Sequence, residues 1–123
     1  MTRVQTTKSR PAAAAIRYST RLIASLVDAG KRVAVAATSH KAIHNLLDEV
    51  VVAGGEMGVA ITGLKKYSDD ESKYHGEGFE NTSNNDECAA TDAPIVAGTS
   101  WLFSRDEMTG LFDYLFIDEA GQV

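Results

Sequence analysis

Two adjacent carboxylates, Asp118 and Glu119, follow an apolar Leu-Phe-Ile run at residues 115–117. Such a run predicts a strand buried in a sheet, and open α/β sheets bind ligands at the carboxyl ends of their strands. Successive residues alternate sides, so one acid can hold a hydrated Mg²⁺ while the other orients a water for attack on a phosphoryl group. The alternative is an exposed acidic turn, but the Ala-Gly-Gln that follows favours the phosphoryl-transfer site.

A second candidate site combines His40, His44 and Asp48, which recur at every fourth position and would share one face of a helix. Two imidazoles and a carboxylate can ligate a metal ion. The His-Lys-Ala-Ile-His sequence lacks the glutamate of a zinc-protease helix. The solvated flank of an amphipathic helix is therefore the favoured interpretation.

The elements that must position these residues alternate between helix and strand. Residues 11–29 have apolar positions at helical spacing, and residues 33–37 form a small-apolar run typical of a strand buried on both faces. Ser39 can cap a second helix, whose apolar stripe runs to a predicted end at Gly54-Gly55. Strands are also predicted at 58–63, 95–97 and 114–117. This alternation predicts an α/β fold with a parallel sheet.

Residues 66–92 carry eight acids against two lysines and contain no Ile, Leu, Val or Met. Such a composition cannot build its own core, which predicts a polar surface insertion with little regular structure. Cys88 and His75 lie within it and indicate nothing beyond a loop. Farther along, Trp101 and Phe103 are expected to be core residues beneath a turn rather than a base-stacking platform.

The composition of the 123 residues is that of a globular protein, with 44% apolar and 24% charged residues. This excludes the disordered, collagenous and coiled-coil classes. The single cysteine excludes an intrachain disulfide and a multi-cysteine zinc site, and a reducing, cytoplasmic location is expected. The longest apolar runs have five residues, so we expect no membrane-spanning segment.

The net charge of −5 is distributed unevenly, because residues 1–41 contain eight Lys or Arg and one acid. A basic face on this part is possible, although the whole chain is too acidic to be assigned to nucleic acid by composition. The first 27 residues contain no acid and resemble an organellar transit peptide in composition. A helix with one basic face is favoured, because its pattern continues directly into a strand.

Three segments resemble motifs of superfamily 1 helicases, in the branch of the nonsense-mediated-decay helicase. The sequence FDYLFIDEAGQV resembles motif II, KRVAVAATSHKAIHNLLDEV resembles motif Ia, and PIVAGTSWLF resembles the strand and turn before motif II. They occur in the family order. The residues SHKAIHNLLDEV and AGTSWLF are most similar to bacterial proteins in which a RecB-like nuclease is fused to the helicase. The resemblance implies that residues 1–123 are a truncated first RecA-like domain of a P-loop NTPase.

The resemblance also implies roles for individual residues. Asp118 would bind Mg²⁺, Glu119 would polarise the hydrolytic water, and Gln122 would be an ATP γ-phosphate or coupling residue. The backbone of single-stranded DNA or RNA would contact four residues of the motif Ia turn and the next turn: Ser39, His40, Lys41 and Thr99. Ser39 serves equally well as a helix cap. A nuclease domain would be a further partner in the parent protein.

One required motif is missing, because the first glycine of the chain is Gly30. The phosphate-binding loop G-x-x-x-x-G-K-[ST] should lie between about Gln5 and Arg21, and only a Lys8-Ser9 pair remains of it. Without glycines the cradle of backbone amides cannot form. We therefore expect the chain alone to be inactive as an ATPase. The competing hypothesis is a non-enzymatic α/β remnant with weak nucleic-acid or partner binding.

Overall fold

The computed structural model describes residues 3–6 and 12–118. Within them a single six-stranded sheet carries helices on both faces. The strands are β1 (Arg3–Thr6), β2 (Val33–Ala37), β3 (Gly63–Lys66), β4 (Phe79–Thr82), β5 (Ile95–Thr99) and β6 (Tyr114–Asp118). The helices are α1 (Ala12–Asp28), α2 (His40–Met57), α3 (Asn85–Ala90) and α4 (Ser100–Phe103).

The strand order is β1-β6-β2-β5-β3-β4, and every neighbouring pair is parallel. Five of these strands lie between residues 33 and 118, and β1 adds to the edge beside β6. All five residues of β2 are buried, as expected for a central strand covered on both faces. The predicted α/β fold with a parallel sheet is therefore confirmed.

Two apolar clusters occupy the two faces of the sheet. The larger one joins the inner faces of α1 and α2 to β2, β5 and β6, and it includes Ile23, Ile43, Leu47 and Val35. The smaller one lies against the opposite face, where Cys88 of α3 and Leu102 of α4 pack with residues of β2 and β5. No helix in the described part of the chain is long and apolar enough to cross a bilayer.

The turns at the amino ends of the strands are joined by Arg32, which precedes β2. Its guanidinium donates to the carbonyls of Thr91, Ala93 and Leu111 at 2.8, 3.3 and 3.1 Å. The same group lies 4.9 Å from the ring centroid of Phe112. Arg32 thereby connects the segments that enter β2, β5 and β6.

The predicted end of the second helix was wrong, because α2 continues through Gly54-Gly55 to Met57 and ends at the cap Gly58. Gly54 has a packing role, since a Cβ there would lie 2.4 Å from Cγ1 of Ile61. The helix and the following segment thus approach each other more closely than side chains would permit. The strand predicted at 58–63 is also misplaced, because β3 starts only at residue 63.

The segment 66–92 is more ordered than its composition predicts, because it contains β4, α3 and a 3₁₀ turn at Asp70–Ser72. The side chain of Asn81 bonds both the N–H and the carbonyl of Tyr74, each at 2.8 Å. Tyr74 is buried against the larger cluster, and Cys88 is fully buried in the smaller one. The segment is ordered by packing on the domain's core, so the expectation that it lacks regular structure was wrong.

Candidate functional site

Three strands of the sheet end in the same row at their carboxyl ends. Ala37, the last residue of β2, is in register with Thr99 of β5 on one side and with Asp118 of β6 on the other. The predicted parallel sheet is confirmed for these strands, and their pairing brings Thr99 and Asp118 to one edge. Ser39 follows β2 at that same edge.

Asp118 is buried at the end of β6, with 5% of its surface exposed. Glu119 and Gln122, the other predicted residues of the phosphoryl-transfer site, lie outside the described residues. In the part of the chain that is described, no group of three or more His, Cys, Asp or Glu residues could hold a metal ion. The assignment of Mg²⁺ to Asp118 therefore remains a prediction from the resemblance.

The segment between β1 and α1, residues 7–11, lies outside the described residues. This segment follows the end of β1, where Thr6 is in register with Ile117. It has no glycine, and Pro11 has no backbone N–H to donate. Because a triphosphate cradle is made of closely approaching backbone amides, this sequence predicts no such cradle.

The turn after β2 positions two of the predicted nucleic-acid contacts. Ser39 caps α2, since its Oγ accepts from the N–H of Ala42 at 3.1 Å. Its capping function is therefore established, and contact with a phosphate is a prediction. The next residues in the first turn of α2 are His40, which is half-buried, and Lys41, which is exposed.

A cleft of about 260 Å³ opens at the carboxyl edge between α2, the end of β3 and α4. It brings His40 and Thr99 together, whereas Ser39 and Lys41 are outside its lining. The sequence did not lead us to place the cations Lys66 and Arg105 or the aromatic Trp101 at this site. The sequence signal that was available is the pair of consecutive lysines, Lys65 and Lys66, in β3. The lining residues of the cleft are His40, Lys66, Ser68, Asn85, Thr99, Trp101, Leu102 and Arg105.

Trp101 is 83% exposed, so the prediction that it is a core residue was wrong. In the short helix α4 the inward position is taken by Leu102, which is 4% exposed. Gly98 makes room for it, because a Cβ at that position would lie 2.7 Å from Cδ2 of Leu102. Phe103 packs partly on the smaller cluster, in agreement with its predicted role.

Lys65 lies directly behind the cleft with a completely buried side chain. Its Nζ donates to the carbonyl of Ser72 at 2.6 Å and is 3.0 Å from Nδ1 of His40. Burial, together with the nearby charge of Lys66, lowers the pKa of Lys65 to about 8. Burial and the Lys65 charge also lower the pKa of His40, which favours the neutral form of this ring.

The helical face of His40, His44 and Asp48 is occupied by contacts to the 66–92 segment. Nε2 of His44 lies 3.0 Å from the carbonyl of Ser72, and Asp48 accepts from the hydroxyl of Tyr74 at 2.7 Å. These contacts join α2 to the segment. They give the three side chains a structural use that does not need a metal ion.

The comparisons with known proteins add no relative to this geometry. No family model matches the chain. Neither a curated protein nor a solved structure matches it at a significant level. The α/β fold with its parallel sheet is what is shown.

Proposed function

We propose that this chain is part of the first RecA-like domain of a superfamily 1 helicase, and that its carboxyl edge binds single-stranded DNA or RNA. The observation that carries the proposal is the cleft, because two of the four contacts inferred from the motifs, His40 and Thr99, line it together with Lys66 and Arg105. A cation-lined cleft at the carboxyl ends of parallel strands is suited to a polyanion.

The charges around the cleft support an anionic ligand despite the acidic chain. Among the described residues that line it none is an acid, and its cations are Lys66 and Arg105, of which Arg105 forms an ion pair with Glu107. Nε of Arg105 donates to Glu107 at 2.9 Å, which uses one of the five donor hydrogens of a guanidinium. The overall charge of −5 opposes a nucleic acid at long range, so we expect weak binding that is strongest at low salt.

Hydroxyl groups at the carboxyl ends of the β-strands are suited to contact the phosphates of a single-stranded nucleic acid. Ser68 Oγ lies 3.3 Å from Nε2 of His40, and Thr99 ends β5 without capping α4 through its side chain. Small hydroxyls bind phosphate oxygens without reading a base sequence. The site would thus bind single strands with little sequence preference.

The proposal does not include ATP hydrolysis by this chain alone. Its β1–α1 connection lacks the glycines of a phosphate cradle, and positioning of the phosphates supplies nearly all of the catalysis of phosphoryl transfer. We expect no ATPase activity from the purified chain. An ATPase assay tests this, and turnover that Glu119→Gln abolishes would contradict it.

The missing glycines also favour the second candidate, a non-enzymatic α/β remnant that retains binding only. In both cases the cleft is the surface that matters. A nuclease domain as partner follows only from the resemblance to fused proteins. ATP-dependent unwinding would be the activity of the parent protein.

Binding is best tested by fluorescence anisotropy with a labelled single-stranded oligonucleotide at two salt concentrations. We expect weak binding that falls with salt, with a slope reduced by about 0.7 for each phosphate-contacting cation removed in Lys66→Ala and Arg105→Ala. The matched control is Lys31→Ala, which removes the same charge from an exposed residue before the amino end of β2.

Lys41→Ala extends the test to the first turn of α2. A reduced affinity would show that the bound strand continues from the cleft toward that helix. Absence of binding even at low salt, or equal losses in Lys66→Ala and Lys31→Ala, would contradict the proposed nucleic-acid site.

A further inference from the structure

Trp101 is the largest apolar side chain that the described part of the chain exposes. It is also the only tryptophan in the sequence. Its neighbours Leu102 and Phe103 supply the apolar contacts that hold α4 on the sheet. The fold therefore gains little from an indole at this position.

The surroundings of Trp101 distinguish a nucleobase from a protein partner as its ligand. The other large apolar side chain that is exposed among the described residues is Val52 in α2, so Trp101 is not part of an extended apolar patch. It shares the cleft with Lys66, Arg105 and the hydroxyl of Thr99. An isolated aromatic ring beside cations is the combination that binds single strands, because bases stack on the ring while phosphates contact the charges.

We propose that Trp101 is a stacking platform for one base of a single strand bound in the cleft, with Lys66 and Arg105 contacting the phosphates beside that base. This inference rests on the proposed nucleic-acid site and adds a base contact to it. Phosphate contacts alone would bind any polyanion. A stacked base makes the site selective for unpaired strands, since the bases of a duplex are already stacked on one another.

Trp101 can report directly on its own contact, because its fluorescence is the only indole signal of the chain. The probes are a single-stranded thymidine oligonucleotide and an oligonucleotide of equal length that is abasic throughout. We expect the first to quench the indole fluorescence on binding. The abasic strand should bind more weakly and leave the indole fluorescence unchanged, because it has the phosphates without the bases.

Substitution tests the same contact by affinity, measured by anisotropy with a labelled strand. Trp101→Ala should weaken binding of the thymidine strand on the order of 10- to 100-fold, the effect of one lost stacking contact. It should leave binding of the abasic strand unchanged. Trp101→Phe keeps an aromatic face and should recover part of the affinity, and Val52→Ala is the matched control for loss of an exposed apolar side chain.

The outcomes separate this inference from the proposed function. If the thymidine strand binds with salt dependence but quenches no fluorescence and binds Trp101→Ala equally well, the stacking inference is wrong and the nucleic-acid site stands. If neither strand binds at low salt, both are wrong. Equal affinity for the thymidine and abasic strands would also overturn the stacking contact.

Discussion

Positive charge has different roles at the two edges of the sheet, which are formed by the amino ends and by the carboxyl ends of the strands. At the amino edge the Arg32 guanidinium is consumed by three backbone carbonyls and the face of Phe112. At the carboxyl edge Lys66 and Arg105 line an open cleft. Cations of similar type thus hold the fold together at one end and line an open cleft at the other, so a count of charges along the chain does not locate a binding site.

The largest effect on stability is expected at the amino edge. Arg32→Ala should lower the free energy of unfolding by about 2–4 kcal/mol, because three partly buried carbonyls lose a charged donor. Chemical denaturation measures this loss. Lys31→Ala next to it removes an exposed charge and should stay within about 0.5 kcal/mol. Equal losses in the two variants would remove the contrast between the edges.

The carboxyl edge provides its own internal contrast in two consecutive residues of α4. Leu102→Ala should cost about 2–3 kcal/mol, since Leu102 is buried in the smaller cluster. Trp101→Ala should change the unfolding free energy by less than about 0.5 kcal/mol, because its ring is exposed. Thermal or urea unfolding of both variants measures the difference, and a destabilised Trp101→Ala would mean that the indole supports the fold.

A smaller effect is expected behind the cleft, where the hydroxyl of Tyr74 donates to Asp48 at 2.7 Å. Tyr74→Phe removes this one hydrogen bond and keeps the ring packing against His44 and Phe79. The unfolding free energy should fall by about 1 kcal/mol. In a variant that already carries Asp48→Ala, adding Tyr74→Phe should change the unfolding free energy little further, because the bond is already lost. An additive double variant would show that the bond contributes nothing.

The smallest effect is a pH dependence that originates at Lys65. Its pKa is lowered to about 8 in the folded chain from 10.5, so between these values the unfolded chain binds more protons and stability rises with pH. Above pH 9 the raised pKa of Cys88 acts in the opposite direction. From pH 8 to pH 9 the free energy of unfolding of the wild type should therefore rise relative to that of Lys65→Met, by less than about 1.4 kcal/mol. Parallel curves for the two proteins would exclude Lys65 as the source.

Apolar patterning predicted the central elements because their burial is reflected in the pattern of apolar residues that are close together in the sequence. The run at 33–37 and the stripe of α2 correspond to a strand and a helix of the structure. The end of α2 was predicted wrongly, since Gly54 reads as a helix terminator in isolation and acts as a close contact to Ile61 in the fold. That contact depends on a residue seven positions away, which local propensity does not include.

The candidate site was predictable in part for a similar reason. His40 and Thr99 follow predicted strands, and parallel strands bring their carboxyl ends together. Lys66 and Trp101 were not predicted. Lys66 lies in a strand whose position was misjudged, and the exposure of Trp101 depends on which of two adjacent apolar residues of α4 faces Gly98. Composition does not decide that choice.

The pairing of β1 with β6 has a consequence for how the chain is made. Arg3 is in register with Tyr114, which lies 111 positions later in the sequence. At a synthesis rate of about 5–20 residues per second, β1 is made on the order of 5–20 s before β6, the strand with which it pairs within the described residues. During that time β1 lacks its pairing with β6, so nascent chains interrupted before β6 are the species in which we expect chaperone binding and aggregation to concentrate.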